Sequence, residues 1–116
     1  MSAPYDQNTY RATVIKNVDG DTSWIEAALP FDITLRMTIR WYGVNSPEIA
    51  TPEGKAALAW VEGIMPAGST VLFQSFKSKK EKYGRFLGTF FLADGTNVND
   101  LLVSSGHAVP YFGGKR

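Results

Sequence analysis

Alternating apolar and polar residues predict three β-strands in the first part of the chain. Three consecutive β-branched residues lie within 10–17, and an Asp-Gly pair typical of hairpin turns leads into a returning strand over 22–28. The clearest alternation places five apolar side chains on one face of a third strand: Ile33, Leu35, Met37, Ile39 and Trp41. We therefore expect this strand to have one buried face, with Arg40 on the opposite, polar face.

The pattern changes to helical spacing after residue 50. Thr51 is a suitable N-cap and Pro52 suits the first helical position. Apolar residues at i, i+3, i+4 and i+7 predict a core-facing stripe made of Ala57, Trp60, Val61 and Ile64. Pro66 and Gly68 should end this helix.

The second half predicts two more strands and a short helix. The strands cover 69–76 and 86–93, with a lysine-rich loop between them, and the helix covers 97–105. Three strands, a helix, two strands and a helix do not follow the alternating order of a parallel sheet. A five-stranded barrel would close such a chain without long exposed edges, so we predict a β-rich α+β barrel fold.

The composition fits one globular domain. The chain has 116 residues, 44% of them hydrophobic, a net charge of +1 and no cysteine. The absence of cysteine excludes zinc-ribbon, iron–sulfur, thiol-protease and disulfide-scaffold classes. We expect a flexible segment at 1–9, a single domain over 10–112 and a short basic tail at 113–116.

No part of the sequence predicts a membrane partner. No apolar run approaches the roughly 20 residues of a membrane helix. The first ten residues lack the basic start and apolar stretch of a signal peptide, which favours a cytoplasmic location unless a precursor segment has been removed.

Positive charge is concentrated in residues 77–85, which contain four lysines and Arg85. Two interpretations remain open for this segment. It is either a solvated loop or a landing place for phosphate groups.

Residues able to do chemistry gather at the predicted ends of strands: Asp19, Asp21, Arg40, Asn45, Glu48 and Arg85. Ca²⁺ prefers carboxylate, amide and backbone oxygens, which Asp21 and Asn45 could supply from neighbouring loops. Two arginines can hold a phosphate and stabilise charge that develops in a transition state. A carboxylate free of the metal, such as Glu48, could deprotonate a water molecule.

Other polar and aromatic residues carry weaker signals. His107 is the only histidine and has no companion motif, so we interpret it as structural. Arg36 is expected to be solvated. Trp24 and Trp41 are expected to pack in or against the barrel, and their spacing gives no support for the alternative of base stacking.

Several short motifs occur in one order along the chain. They are Asp19-Gly20-Asp21-Thr22, Arg40 eight residues before the end of Asn45-Ser46-Pro47-Glu48, Lys82-Tyr83-Gly84-Arg85, Asp94-Gly95, Val98-Asn99 and Leu101-Leu102-Val103. Together they resemble the staphylococcal nuclease (thermonuclease) family, and the similarity runs from Ala12 to Tyr111. This resemblance implies a five-stranded OB-type Greek-key barrel with two or three short helices.

The resemblance also implies an activity: calcium-dependent cleavage of DNA or RNA that leaves 3′-phosphate and 5′-hydroxyl ends. It further implies a role for individual residues. Glu48 matches the general base, Arg40 and Arg85 match the phosphate-binding arginines, and Asp21 matches a metal ligand. Asp19 matches a nearby acid, and the Ser46 carbonyl a further ligand. Lys82, Tyr83 and Tyr111 match residues near substrate phosphates.

One departure from the family pattern concerns the metal. Asn45 stands where the family usually has an aspartate ligand. An amide oxygen can bind Ca²⁺ but brings no formal charge, so we expect one weakly bound ion.

The sequence therefore predicts a monomeric calcium-dependent nuclease with little sequence specificity and a preference for single strands. Two alternatives stay open: a catalytically weakened nucleic-acid-binding or scaffold module, and a protein-interaction domain whose polar cluster is a solvated rim. The choice between DNA and RNA and between endo and exo cleavage also stays open.

Overall fold

The computed structural model describes residues 9–80 and 85–111, with the backbone alone at 77–80. Its elements, in chain order, are β1 (Thr9–Asp19), β2 (Thr22–Leu29), β3 (Ile33–Trp41), β4 (Val44–Asn45), α1 (Pro52–Ile64), β5 (Thr70–Lys80), β6 (Phe86–Phe91), α2 (Val98–Ser104) and β7 (Val109–Pro110). The lysines at 77–80, predicted to lie in a loop, instead extend β5.

Five strands form a closed barrel in the order β1-β2-β3-β6-β5, and β4 and β7 form a separate two-stranded sheet. Neighbouring barrel strands are antiparallel except β3 and β6, which run parallel from Ile39 to Trp41. The predicted OB-type five-stranded barrel with two helices is confirmed. The short strands β4 and β7 were not predicted, because two-residue strands carry no periodic signal.

An aromatic cluster fills the barrel. Trp41, Phe73 and Phe90 are fully buried, and Phe90 lies 5.2 Å from Trp41 and 5.7 Å from Phe73 between ring centroids. The predicted helical stripe is partly buried as expected, with Ala57 and Val61 at 0% exposure. The core thus joins the barrel interior to one face of α1.

The caps of the two helices follow local chemistry. The Thr51 side chain accepts a hydrogen bond from the Gly54 N–H, with Pro52 in the first turn as predicted. Asn97 caps α2 in the same way by accepting from the Asp100 N–H.

The first half of β3 departs from the sequence prediction. Ile33 and Leu35 are 51% and 45% exposed, whereas Ile39 is fully buried. β3 pairs with β2 along its whole length but with β6 only from Ile39 onward, so its first half forms an arm beyond the barrel. The prediction of one continuously buried face is therefore wrong for this half.

Candidate active site

The β1–β2 turn places two carboxylates at one end of the barrel. The Asp21 N–H donates to Asp19 Oδ1 at 3.0 Å, and Asp21 Oδ2 accepts from the Ser46 N–H at 2.9 Å. A β-carbon at Gly20 would come within 2.8 Å of Ser46 Cβ and 2.9 Å of Ala57 Cβ. Only glycine therefore lets this turn pack directly against Ser46 and α1.

Arg40 lies beside Asp21 at the last residue pair of the β2–β3 ladder, where its Cα pairs with that of Thr22. It is only 5% exposed, and its Nη1 donates to the Trp41 carbonyl at 3.0 Å and lies 3.6 Å from Asp21 Oδ2. Its guanidinium carbon lies 5.9 Å from the centroid of the Tyr111 ring. The expected orientation holds, but the arginine is buried because the turn and the Tyr111 segment cover this face.

Arg85 reaches the same place from the start of β6. Its Nη1 lies 3.5 Å from Thr22 Oγ1, and that hydroxyl donates to Asp21 Oδ1 at 3.2 Å. Thr22 thus connects the second arginine to the carboxylate held by the first. Thr22 was not predicted to have this role, although it stands in the Asp-Gly-Asp-Thr motif.

A buried polar chain fixes the neighbour of Arg40. The Trp41 indole N–H donates to Ser23 Oγ at 2.9 Å, and Ser23 Oγ donates to Asn17 Oδ1 at 2.8 Å. The Asn17 amide then donates to the Met65 carbonyl at the end of α1, at 2.8 Å. A chain of hydrogen bonds therefore connects α1 to Trp41, whose carbonyl accepts from Arg40.

Glu48 is held by the start of α1. Its backbone carbonyl accepts from Thr51 Oγ1 at 2.6 Å and from the Thr51 N–H at 3.0 Å. The residue lies two positions after Ser46 and its side chain is exposed. This places Glu48 next in sequence to the segment that contacts Asp21, with its carboxylate open to solvent.

The two turn carboxylates titrate as a pair. Burial, the hydrogen bond with Asp21 and the charge of Asp21 raise the pKa of Asp19 from 3.8 to about 6. Burial also opposes ionisation of Asp21, but hydrogen bonds from Asp19 and Ser46 and the charge of Arg40 outweigh it and lower its pKa. Because folded Asp19 holds its proton more tightly than the unfolded chain does, this group makes the fold less stable as the pH rises from 3.8 towards about 6.

The donor chemistry of this turn fits a hard cation. Two partly buried carboxylates in mutual contact concentrate negative charge, which a divalent ion would neutralise. Asn45 in β4 and the Ser46 carbonyl belong to the segment bound to Asp21, so further oxygen ligands lie next in sequence. Within 9–80 and 85–111, no cluster of three or more His, Cys, Asp or Glu side chains could hold a metal. A cation would therefore depend on amide, backbone and water oxygens as well.

The structure brings together many of the predicted site residues: Asp19, Asp21, Arg40, Ser46, Arg85 and Tyr111. Lys82 and Tyr83 lie outside the described residues, so their predicted contacts stay predictions. His107 lies 5.7 Å from Trp60 between ring centroids, in keeping with a structural role. Arg36 is exposed as predicted and pairs with Glu26 at 3.1 Å.

Comparison with known proteins finds a matching family and similar proteins over most of the chain. The staphylococcal nuclease homologue family matches residues 38–116. Endonuclease YhcR of Bacillus subtilis is 29% identical over 120 residues, which cover 94% of this chain and 10% of that protein. An uncharacterized endonuclease of Escherichia coli O157:H7 is 33% identical over 98 residues, covering 84% of this chain and 59% of that protein.

The chain thus spans a small part of the first relative and less than two thirds of the second. In the described part of the chain, no helix has the length and apolar character needed to cross a membrane. The family match covers Arg40, Asn45, Ser46, Glu48 and Arg85, and the barrel that positions them has the expected OB-type topology. The chain therefore belongs to the staphylococcal nuclease homologue family.

Proposed function

We propose that this chain is a calcium-dependent nuclease that hydrolyses phosphodiester bonds of DNA or RNA and leaves 3′-phosphate and 5′-hydroxyl ends. One observation carries the proposal: Arg40 is buried beside Asp21, and Thr22 connects that carboxylate to Arg85. The burial of Arg40 distinguishes its pair with Asp21 from an ordinary salt bridge on the protein surface. Two guanidinium groups and a carboxylate pair at one barrel end suit a phosphate and a cation.

Each residue has a distinct part in the proposed reaction. Arg40 and Arg85 bind the phosphate oxygens and stabilise the negative charge that grows on them as water attacks. Glu48 takes a proton from that water, whose oxygen bonds to phosphorus in line with the departing 5′ oxygen. The P–O5′ bond breaks, and the 5′ oxygen takes a proton from solvent water and leaves as a hydroxyl, while the protonated Glu48 returns its proton to solvent.

The metal would be held by Asp21, Asn45 and the Ser46 carbonyl, with Asp19 beside them. When bound, Ca²⁺ supplies positive charge that polarises the phosphate. In this proposal the metal and the arginines contact the phosphate backbone of the substrate and not its bases, so we propose little sequence specificity. We also propose that the protein works as a monomer and prefers single strands.

The proposed activity is tested with a labelled single-stranded oligonucleotide in Ca²⁺ and in EDTA. We expect the oligonucleotide to be cut in Ca²⁺ and to stay intact in EDTA. Phosphatase treatment should change the mobility of the products, because they end in 3′-phosphate. Glu48→Gln should lower kcat by about 10²–10⁴, the usual contribution of a general base. Glu62→Gln is the matched control, because Glu62 is exposed on α1 and should leave cutting unchanged.

Two results would contradict this proposal. One is an oligonucleotide that stays intact in excess Ca²⁺ with correctly folded protein. The other is a Glu48→Gln variant that cuts at the wild-type rate.

The weak-metal prediction is tested by Asn45→Asp. Adding a carboxylate to the ligand set should lower the half-saturating Ca²⁺ concentration about tenfold or more, because affinity rises with ligand charge. Activity measured across a Ca²⁺ titration gives that value, with Asn97→Asp as a control that adds the same charge at the α2 cap. An unchanged half-saturation in Asn45→Asp would show that position 45 does not set metal affinity.

A second candidate function is a nucleic-acid-binding or scaffold module that cuts poorly. The Asp21 carboxylate already accepts from Ser46 and Thr22 and lies near Arg40, so the protein itself meets part of its need for a cation. Asn45 adds no charge to compensate. Binding of an oligonucleotide without cutting at any Ca²⁺ concentration would favour this candidate.

A further inference from the structure

The solvent-facing side of β1, β2 and β3 continues directly from the candidate active site. Thr22 and Arg40 pair across β2 and β3, and the next pair on the same face of this ladder is Trp24 with Thr38. On its other side Trp24 pairs with Lys16 of β1. One row therefore places a tryptophan between a lysine and a threonine, one step along the strands from the paired arginine.

Trp24 is not part of the core. It is 37% exposed, while its neighbours Ser23 and Ile25 on the opposite face are fully buried. Trp24 was predicted to pack in or against the barrel, and its 37% exposure is compatible with packing against the outer face. The exposed part of the indole is available for contact.

The charge on this face suits a polyanion. Arg11 and Lys16 are exposed on β1. The acidic Glu26 of the next row is paired with Arg36 at 3.1 Å, so those two charges offset each other. Asp19, which pairs with Thr22 on the same face, offsets one of the two exposed cations of β1, so the face around Trp24 carries a small positive excess.

We propose that Trp24 is a base-stacking platform for a single-stranded nucleic acid whose backbone passes the Arg40–Arg85 site, with Lys16 contacting a flanking phosphate. This inference rests on the proposed function, which places the backbone of the nucleic acid at Arg40 and Arg85. Two residues along a strand span about 7 Å, which is comparable to the spacing of neighbouring nucleotides in an extended strand. An aromatic ring stacks with any base, so the platform adds affinity without sequence specificity.

The platform also gives a physical reason for a single-strand preference. Within a duplex the two faces of each base are covered by neighbouring base pairs. A base must leave that stack before it can lie on Trp24. Single strands avoid the cost of unstacking.

The test measures binding of a short single-stranded DNA in EDTA, where cutting does not interfere. Trp24→Ala should raise Kd about 5- to 100-fold, as expected for loss of one stacked base, and Trp24→Phe should restore most of the affinity. The matched control is Phe31→Ala. Phe31 is 92% exposed at the β2–β3 tip, seven residues along the chain from Trp24, and its removal should leave Kd unchanged.

A second set of oligonucleotides separates stacking from general loss of binding. Replacing the stacked nucleotide with an abasic one, found by scanning each position in turn, should weaken wild-type binding but barely affect Trp24→Ala. Lys16→Gln should reduce the slope of log Kd against log salt by about 0.7, the value for one phosphate contact on a single strand.

The platform proposal is overturned if folded Trp24→Ala and Trp24→Phe both bind as wild type, or if no abasic position interacts with Trp24. It is also overturned if the wild-type protein binds no single strand. Failure of the nuclease proposal looks different, because the protein would then bind the strand through Trp24 without cutting it in Ca²⁺. Cutting that persists with unchanged affinity in Trp24→Ala would leave the nuclease and remove the platform.

Discussion

Arg40→Lys should lower kcat by about 10²–10³ with a smaller change in KM, because one of the two arginines proposed to stabilise the transition-state charge loses its geometry. The guanidinium of Arg40 donates to the Trp41 carbonyl and lies beside Asp21, and these two contacts fix the orientation of a side chain that is only 5% exposed. A lysine keeps the positive charge for Asp21. It cannot reproduce the planar fork of donors that matches a phosphate.

Arg36→Lys is the matched control for this experiment. Arg36 lies on the same strand and the same face, but its side chain is 64% exposed and pairs with Glu26. Steady-state kinetics should therefore show no change in this variant. Equal kinetics for Arg40→Lys and wild type would remove Arg40 from the chemistry, and thermal unfolding of both variants shows whether either effect reflects a loss of stability.

The local parts of the fold could be predicted from sequence. Thr51 and Pro52 define the start of α1, because a cap and a first-turn proline act through the nearest backbone groups only. The Asp-Gly turn between β1 and β2 is another local feature. In both places the residues that decide the structure are neighbours in the chain.

The exposed arm of β3 shows what alternation cannot predict. A period of two identifies which side chains share a face, but burial depends on which other element covers that face. Ile33 and Leu35 share the face of Ile39, yet the parallel contact with β6 begins only at Ile39. That contact joins residues far apart in sequence and has no local signature.

In the candidate site too, some features could be predicted from the sequence and others could not. Motif order identifies Asp21, Arg40 and Arg85 as candidates, because their residue types and spacing resemble the motifs of the family. The connection between them through Thr22 depends on the barrel closing around the β3–β6 pair. The raised pKa of Asp19 likewise follows from burial beside Asp21, and no sequence pattern reports burial of that kind.

Gly54→Ala should reduce both stability and activity, although alanine is ordinarily the better helix former. A methyl group at Gly54 would overlap the Glu48 carbonyl and come within 2.9 Å of Ile49 Cα, both of which are backbone atoms. The same carbonyl accepts from the N–H and the hydroxyl of Thr51, so the segment cannot move without breaking these two bonds to the N-cap residue of α1. A displacement of about 1 Å at a catalytic group can cost about 10²-fold in rate, and we expect a loss of that order in kcat.

Gly63→Ala provides the control within the same helix. A β-carbon at Gly63 meets nothing within 4 Å, so this variant should gain about 0.5–1 kcal/mol of stability from the helix preference of alanine and keep its activity. Thermal unfolding and kcat should therefore separate the two glycine variants. Gly54→Ala should unfold at a lower temperature than wild type and have a lower kcat. Gly63→Ala should unfold at a higher temperature and keep the wild-type kcat. If Gly54→Ala behaved like Gly63→Ala, the close approach of α1 would not be what positions Glu48, and the proposed general base would have to be held by other contacts.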